Sequence, residues 1–286
     1  MKKFHCLLAV LSLLATLTGC GAAPAADAGT GTTILATTYP MYYLTSRLTQ
    51  GVSDISVEQM VTEPVSCLHD YTLTTEQMKK IDRADLIVMN GCGLEDFMTD
   101  ALKGVPEENL IDCGSDQFAE DPHYWLSPAA YAEAGHTLLT ALTARYPDHA
   151  KALEQNWEPL SQQLEELRLS MQSSDLQGQL ACREMITFHD GFSYFAQAMG
   201  LTIAASIEEE EGAEAPASEI KAICDLIAQD KIPAIFVEKN GSTNAAEIIA
   251  RETGVKIFTL TTIMDSETDY FTAMEENITA VKEALS

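Results

Sequence analysis

Basic charge is what this chain lacks most. Its 286 residues carry 17 lysines and arginines against 43 aspartates and glutamates, a formal net charge of −26 at pH 7. So acidic a surface repels phosphate backbones, which argues against nucleic acid as a partner, and it raises the local concentration of cations. After Leu17 no apolar run approaches the roughly 20 residues that span a bilayer. Cysteine is sparse and unevenly spaced: beyond Cys20 stand Cys67, Cys92, Cys113, Cys182 and Cys224. An odd number excludes complete intramolecular pairing, and no two show Cys-x-x-Cys spacing, so most read as small buried hydrophobes. Catalytic signatures are missing too. The chain has no His-Glu-x-x-His, no Gly-x-Ser-x-Gly and no paired carboxylates in a recognisable motif.

The N-terminus has the features of a processing signal. Lys2 and Lys3 make a basic start, and the apolar run from Phe4 to Leu17 has signal-peptide length before it ends at Thr18-Gly19-Cys20. Leu17-Thr18-Gly19-Cys20 resembles the bacterial lipobox, in which the cysteine becomes a lipidated N-terminus after cleavage. Residues 1–19 are therefore expected to be a lipoprotein signal peptide. Residues 20–32 are expected to be a lipidated flexible tether, because Gly21 to Gly31 holds alanine, glycine, proline and threonine with a single charge. This places the body outside the cytoplasm, lipid-anchored at Cys20 to the bacterial cell membrane. Cleavage also removes Lys2 and Lys3 and no acid, so the mature chain is two units more negative.

About 255 residues remain, enough for two domains. Two stretches alternate strand-like and helix-like patterns, the mark of α/β architecture. In the first, Thr33–Thr37, Ile55–Val61 and Asp85–Met89 read as strands, with helices over Tyr42–Thr49 and Thr75–Arg83. Thr74 or Thr75 serves as N-cap. In the second, Glu184–Phe188, Leu201–Ser206, Ala234–Glu238 and Lys256–Leu260 read as strands. Helical patterns cover Gly191–Met199, Ala217–Gln229, Ala245–Thr253 and Tyr270–Leu285, with Gly200 and Gly254 at C-cap positions. Between the halves lies a helical region over Pro128–Ser173, interrupted near Pro147. Leu153, Trp157, Leu160, Leu164, Leu167 and Met171 form one apolar stripe on it, and Pro159 is expected to kink it. The boundaries that follow are an N-terminal α/β lobe over 33–145, a linking backbone helix over 146–175 and a C-terminal α/β lobe over 176–286.

Three histidines share a setting. His69 lies in the loop Glu63-Pro-Val-Ser-Cys-Leu-His-Asp-Tyr71, His123 in Asp121-Pro-His-Tyr-Trp125, and His189 ends the strand-like run Ile186-Thr-Phe-His-Asp190. Ligands of open α/β sheets collect at the C-terminal ends of strands, where His69 and His189 stand, one from each half. Separations of 54 and 66 residues are unlike the short spacings of structural zinc sites. A cation held by all three would bridge two domains. His136 and His149 lie on or beside helices in polar faces and read as surface residues.

Several segments, in order, resemble one family: Leu68-His-Asp-Tyr71, Ala84-Asp-Leu-Ile-Val-Met-Asn-Gly-Cys-Gly-Leu-Glu95, Asp121-Pro-His-Tyr-Trp125, Phe188-His-Asp-Gly-Phe-Ser-Tyr-Phe195 and Ile235-Phe-Val-Glu238. They are similar to the zinc and manganese solute-binding proteins of ABC transporters (cluster A-I) from about Thr33 to Leu285. The resemblance implies two Rossmann-like α/β lobes joined by a long backbone helix, with metal between the lobes on His69, His123 and His189. It implies a monomer that captures Zn2+ and delivers it to an ABC transporter permease. Two departures stand out. The family's fourth ligand, an Asp after the last strand, has no counterpart in Leu260-Thr-Thr-Ile263, which leaves Asp265, Glu214, water or chloride. The His-rich insertion of many zinc members is also absent. Three imidazoles favour Zn2+ over Mn2+, which prefers carboxylate. Asp70, Asp121, Asp190 and Glu238 are candidates to orient the imidazoles, and Cys67 is a soft-ligand alternative. The competing readings are a manganese- or iron-binding member of the same family, a zinc-dependent hydrolase using three histidines with an open fourth position, and a surface adhesin.

Overall fold

A computed structural model of the chain describes residues 31–65, 68, 71–114, 118, 121–207 and 215–286. The expected leader, Cys20 and the tether as far as Thr30 lie outside the described residues. Thr32–Ser286 forms one compact unit. The first half runs β1 (Thr32–Ala36), α1 (Tyr39–Leu48), β2 (Ile55–Gln59), α2 (Thr75–Arg83), β3 (Leu86–Met89), the one-turn α3 (Thr99–Leu102) and β4 (Leu110–Asp112). Its strands are all parallel in the order β2-β1-β3-β4. Local chemistry sets the ends of these elements. The Thr74 hydroxyl accepts from the Gln77 amide while the Gln77 side chain accepts from the Thr74 amide, a capping box that starts α2. Helix α1 begins three residues earlier than its apolar spacing suggests. Thr38 caps it and Pro40 sits in its first turn, where a missing N–H costs nothing.

Helices α4 (Pro128–Arg145), α5 (Ala150–Met171) and α6 (Ser174–Gln179) connect the halves. A 3-10 turn at Pro147–His149 separates α4 from α5, so the connecting helix has 22 residues and is shorter than its sequence pattern implied. Pro159 lies inside α5 without ending it. The expected stripe is the buried face: Leu153, Leu160, Leu164, Leu167 and Met171 are all in the core, with Trp157 packed at its margin. At the far end Gln177 Nε2 donates to the carbonyls of Met171 and Met199, tying α5 to the second half.

The second half runs β5 (Glu184–Thr187), α7 (Ser193–Ala198), β6 (Thr202–Ser206), α8 (Ala217–Asp230), β7 (Ala234–Glu238), α9 (Asn244–Thr253), β8 (Lys256–Leu260) and α10 (Tyr270–Leu285). Its strands are parallel in the order β6-β5-β7-β8, the same permutation as the first sheet. Two α/β lobes on parallel sheets, with a long helix between them, are therefore the architecture. Strand alternation divides the second lobe's apolar residues. Ile186, Phe188, Ile235 and Val237 join Ile223, Ile227 and Ile249 in an outer core. Met185, Ala234, Phe236 and Leu260 face the other way, into a core continuous with the first lobe.

Gly135 marks the tightest helix contact. A Cβ there would stand 2.5 Å from the Trp157 ring, so α4 and α5 approach this closely only because position 135 has no side chain. Gly135→Ala gains helix propensity but must push the indole aside. It is expected to lower stability by about 1–3 kcal/mol. Urea unfolding reads the effect, and an unchanged midpoint would contradict the packing argument.

Candidate metal centre

Each sheet changes winding direction between its two central strands, the place where ligands of open α/β sheets bind. In the second lobe the switch lies between β5 and β7. His189 follows β5 on the same alternation as Met185 and Thr187, so it faces the first lobe. His123 comes from the segment before α4. Asp121 accepts from both the His123 amide at 2.9 Å and the ring Nδ1 at 2.8 Å. Pro122 between them is held by its carbonyl, which accepts from Asn90 Nδ2 at 3.1 Å. The Tyr124 hydroxyl donates to the Asn90 carbonyl at 2.8 Å, and a 3-10 turn over Tyr124–Leu126 closes the segment.

Asn90 is itself fixed by a buried acid just past β3. Glu95, 3% exposed, accepts from the amides of Asn90 and Gly91 at 2.7 and 2.9 Å and from the Thr37 hydroxyl at 2.6 Å. Two buried acceptors beside His123, Asn90 Oδ1 and Asp121 Oδ2, have no hydrogen-bond donor among the described residues. They add negative potential next to the imidazole.

The two imidazoles meet at their tips. His123 Nε2 and His189 Nε2 are 3.2 Å apart, with ring centroids at 4.9 Å and planes at 85°. Both residues are buried, at 4% and 7% exposure. In neutral rings the hydrogen bonds assign the tautomers. With His123 Nδ1–H donating to Asp121, His123 Nε2 holds a lone pair and His189 Nε2–H donates to it. Gly191 makes the room: a Cβ there would fall 2.6 Å from the His189 ring and 3.0 Å from that of His123. Trp125, fully buried, packs its ring 5.2 Å from His123 and donates from Nε1 to the Thr262 carbonyl at 2.7 Å. This joins the His123 segment to the loop after β8.

Of the expected ligands, the structure brings His123 and His189 together. His69 lies outside the described residues, as do Asp70, Cys67 and Glu214. Among the described residues no group of three His, Cys, Asp or Glu side chains is gathered tightly enough to hold a metal. Asp265 is buried but turned elsewhere, toward Asn240 Nδ2 at 3.4 Å and Lys239 Nζ at 3.8 Å, with its other oxygen capping the Glu267 amide. His136 is exposed as expected. His149 is not a bare surface residue, because its Nε2 pairs with Asp54 at 2.9 Å. The roles of Asn90, Trp125, Gly191 and Thr262 carried no local signal, since each acts through residues distant in sequence.

Residues 34–284 match the family model described as zinc-uptake complex component A periplasmic. The chain is 27% identical to the zinc-binding lipoprotein AdcA of Streptococcus pneumoniae (strain ATCC BAA-255 / R6), a match covering 99% of this chain and 61% of that protein. It therefore spans about three-fifths of that relative's length. It is 25% identical to the iron-binding protein YfeA of Yersinia pestis, over 71% of this chain and 69% of YfeA. The crystal structure of a ZnuA superposes with a TM-score of 0.77 at 24% identity, covering 90% of this chain and all of that one. Among the described residues no helix is long and apolar enough to cross a membrane.

Burial pushes the Glu95 carboxyl up to about 7, against the pull of its three donors. A carboxyl raised in the fold binds its proton more tightly there than in the unfolded chain. Its contribution to stability is complete below the ordinary carboxyl range and is lost as pH rises through about 7. Metal-free protein should therefore lose stability between about pH 4.5 and 7 by an increment that Glu95→Gln abolishes. Parallel urea titrations across that range measure it, and profiles that differ by a constant offset would contradict it.

Proposed function

The chain belongs to the zinc-uptake complex component A periplasmic family, and on that premise we propose that it is an extracytoplasmic binding lipoprotein that captures Zn2+ and hands it to an ABC transporter permease. The observation that carries this reading is the 3.2 Å approach of His123 Nε2 to His189 Nε2. Two imidazole nitrogens each 2.0–2.1 Å from a tetrahedral Zn2+ stand about 3.3 Å apart. The pair thus has the bite of two zinc ligands, one from each lobe. His69, the remaining candidate, completes the imidazole set from the loop after β2. The contact between Asp121 and His123 Nδ1 fits the same role. Metal-bound imidazole usually passes its second N–H to a carboxylate, which fixes the tautomer and raises the ligand's basicity.

Negative charge across the protein draws cations toward the crevice. Anchored at Cys20, the protein would act as a monomer beside its permease, releasing metal where a membrane partner takes it inward. Handover calls for limited motion, because the two lobes share a continuous core.

Thermal unfolding of the metal-free protein, repeated with Zn2+, Mn2+ or Ni2+, tests the proposal. At a thousand times Kd, a ligand specific for the folded state adds about 4 kcal/mol, a shift of roughly 10 °C at this size. Zn2+ should produce it, and His69→Ala, His123→Ala and His189→Ala should each remove most of it. A larger shift with Mn2+ would overturn the choice of metal, and no shift with any metal would overturn the function. Asp121→Ala should weaken Zn2+ binding about 10- to 100-fold without abolishing it, as measured by competition with a chelating indicator. Unchanged affinity would remove Asp121 from the site.

A further inference from the structure

The strand beside β5 ends in a buried carboxylate, Glu238, two residues beyond the pairing of Thr187 with Phe236. Thr187 lies opposite Phe236, and the Phe188 amide donates to the Phe236 carbonyl. Carried two residues past Thr187, the last residue of β5, the same register brings His189 opposite Glu238, the last residue of β7. Both side chains alternate onto the face turned toward the first lobe. Glu238 is 4% exposed. Its Oε1 accepts from the Thr262 hydroxyl at 2.7 Å, and Thr262 is itself 2% exposed.

Thr262 is held from several directions. Just before it, Thr261 is clamped by Asn277, whose side chain accepts from the Thr261 amide at 2.9 Å and donates to the Thr261 carbonyl at 2.8 Å. The Thr262 carbonyl accepts from Trp125 Nε1. Just after it, Ile263 sits at φ +59°, a left-handed conformation that a β-branched residue rarely adopts. Burial and an amide bond to the Thr261 hydroxyl at 3.0 Å keep it there. A strained backbone retained next to a binding site is a cue to function. Here its effect is to aim one hydroxyl at one carboxylate. The loop's own acid, Asp265, is engaged by Asn240 and Lys239.

We propose that Thr262 holds the Glu238 carboxylate outside the metal's coordination sphere, so that this hydrogen bond sets the site's preference for Zn2+ over the harder Mn2+. The inference rests on His123 and His189 being metal ligands. Carboxylate oxygen suits Mn2+ better than imidazole does, and imidazole suits Zn2+. A buried carboxylate at the level of His189 is therefore a latent hard ligand. Thr262 binds one of its oxygens and, through the Trp125 contact, fixes the distance between Glu238 and the His123 segment. Thr262 is thus a positioning residue.

The test uses the full-length protein, with Zn2+ and Mn2+ dissociation constants from indicator competition and the visible absorption of the Co2+ form. Thr262→Val keeps the shape and deletes the donor. It should raise Mn2+ affinity relative to Zn2+ by about tenfold or more and weaken the Co2+ bands as a carboxylate joins the metal. Thr262→Ser should behave as wild type. Glu238→Gln alone should leave the Co2+ spectrum unchanged, and added to Thr262→Val it should cancel the gain. A folded Thr262→Val protein with the wild-type Zn2+ to Mn2+ ratio would overturn the proposal while leaving metal capture intact. A changed Co2+ spectrum in Glu238→Gln would also overturn it, by making Glu238 a ligand already, and this variant decides the matter if Thr262→Val does not fold. Wild-type protein that binds neither metal would overturn both readings.

Discussion

Two buried aromatic side chains with polar tips, Trp125 and Tyr270, tie the segment before α4 to the second lobe, and burying them without leaving a donor unpaired constrains much of the structure there. Trp125 and Tyr270 are both fully buried. The indole N–H reaches the Thr262 carbonyl at 2.7 Å and the Tyr270 hydroxyl reaches the Trp125 carbonyl at 2.8 Å. A buried donor without an acceptor costs about 1–3 kcal/mol, so the segment before α4 and the loop after β8 must stay in register with each other. The Tyr131 ring packs against Tyr270 at a tilt of 38° with centroids 4.6 Å apart, and its hydroxyl donates to the Pro40 carbonyl, drawing α1 into the same cluster. The lobes are thereby fastened beside His123 as well as through α5. Wide separation would break several buried hydrogen bonds at once. Under the proposed function, rearrangement of loops is the cheaper route to letting a cation in or out.

Where chemistry is local, the sequence was readable. The capping box at Thr74, the β-branched runs at Ala234–Glu238 and Lys256–Leu260, and the amphipathic Tyr270–Leu285 all form as their residues dictate. Strand β4 escaped notice because three residues, Leu110–Asp112, offer too short a pattern to distinguish from a loop. The break near Pro147 was legible, but α5 is shorter than its pattern because the 3-10 turn runs on to His149 and the helix stops at Met171.

The site divides the same way. Asp121 was a visible partner for His123 because it stands two residues away with a proline between them. Asn90 and Trp125 stand in segments that carried the resemblance, but the contacts of Asn90 with Pro122, 32 residues away, and of Trp125 with Thr262, 137 residues away, leave no trace in a linear pattern. Only the strand order of the two sheets brings them in. Asp265 illustrates the converse. Adjacency in sequence made it a candidate, yet the left-handed turn at Ile263 redirects the chain, and the acid meets Lys239 and Asn240 instead.

The hydrogen bond between the two imidazole tips has a consequence for exchange. While it lasts, a proton occupies the space between His123 Nε2 and His189 Nε2, and no cation can accept both lone pairs until that proton departs. If a cation takes both tips, as proposed, the His189 proton moves to Nδ1 of the same ring, so entry of M2+ there is coupled to a change of tautomer. The empty protein keeps its ligands mutually satisfied in a dry setting, with no bare nitrogen seeking a partner.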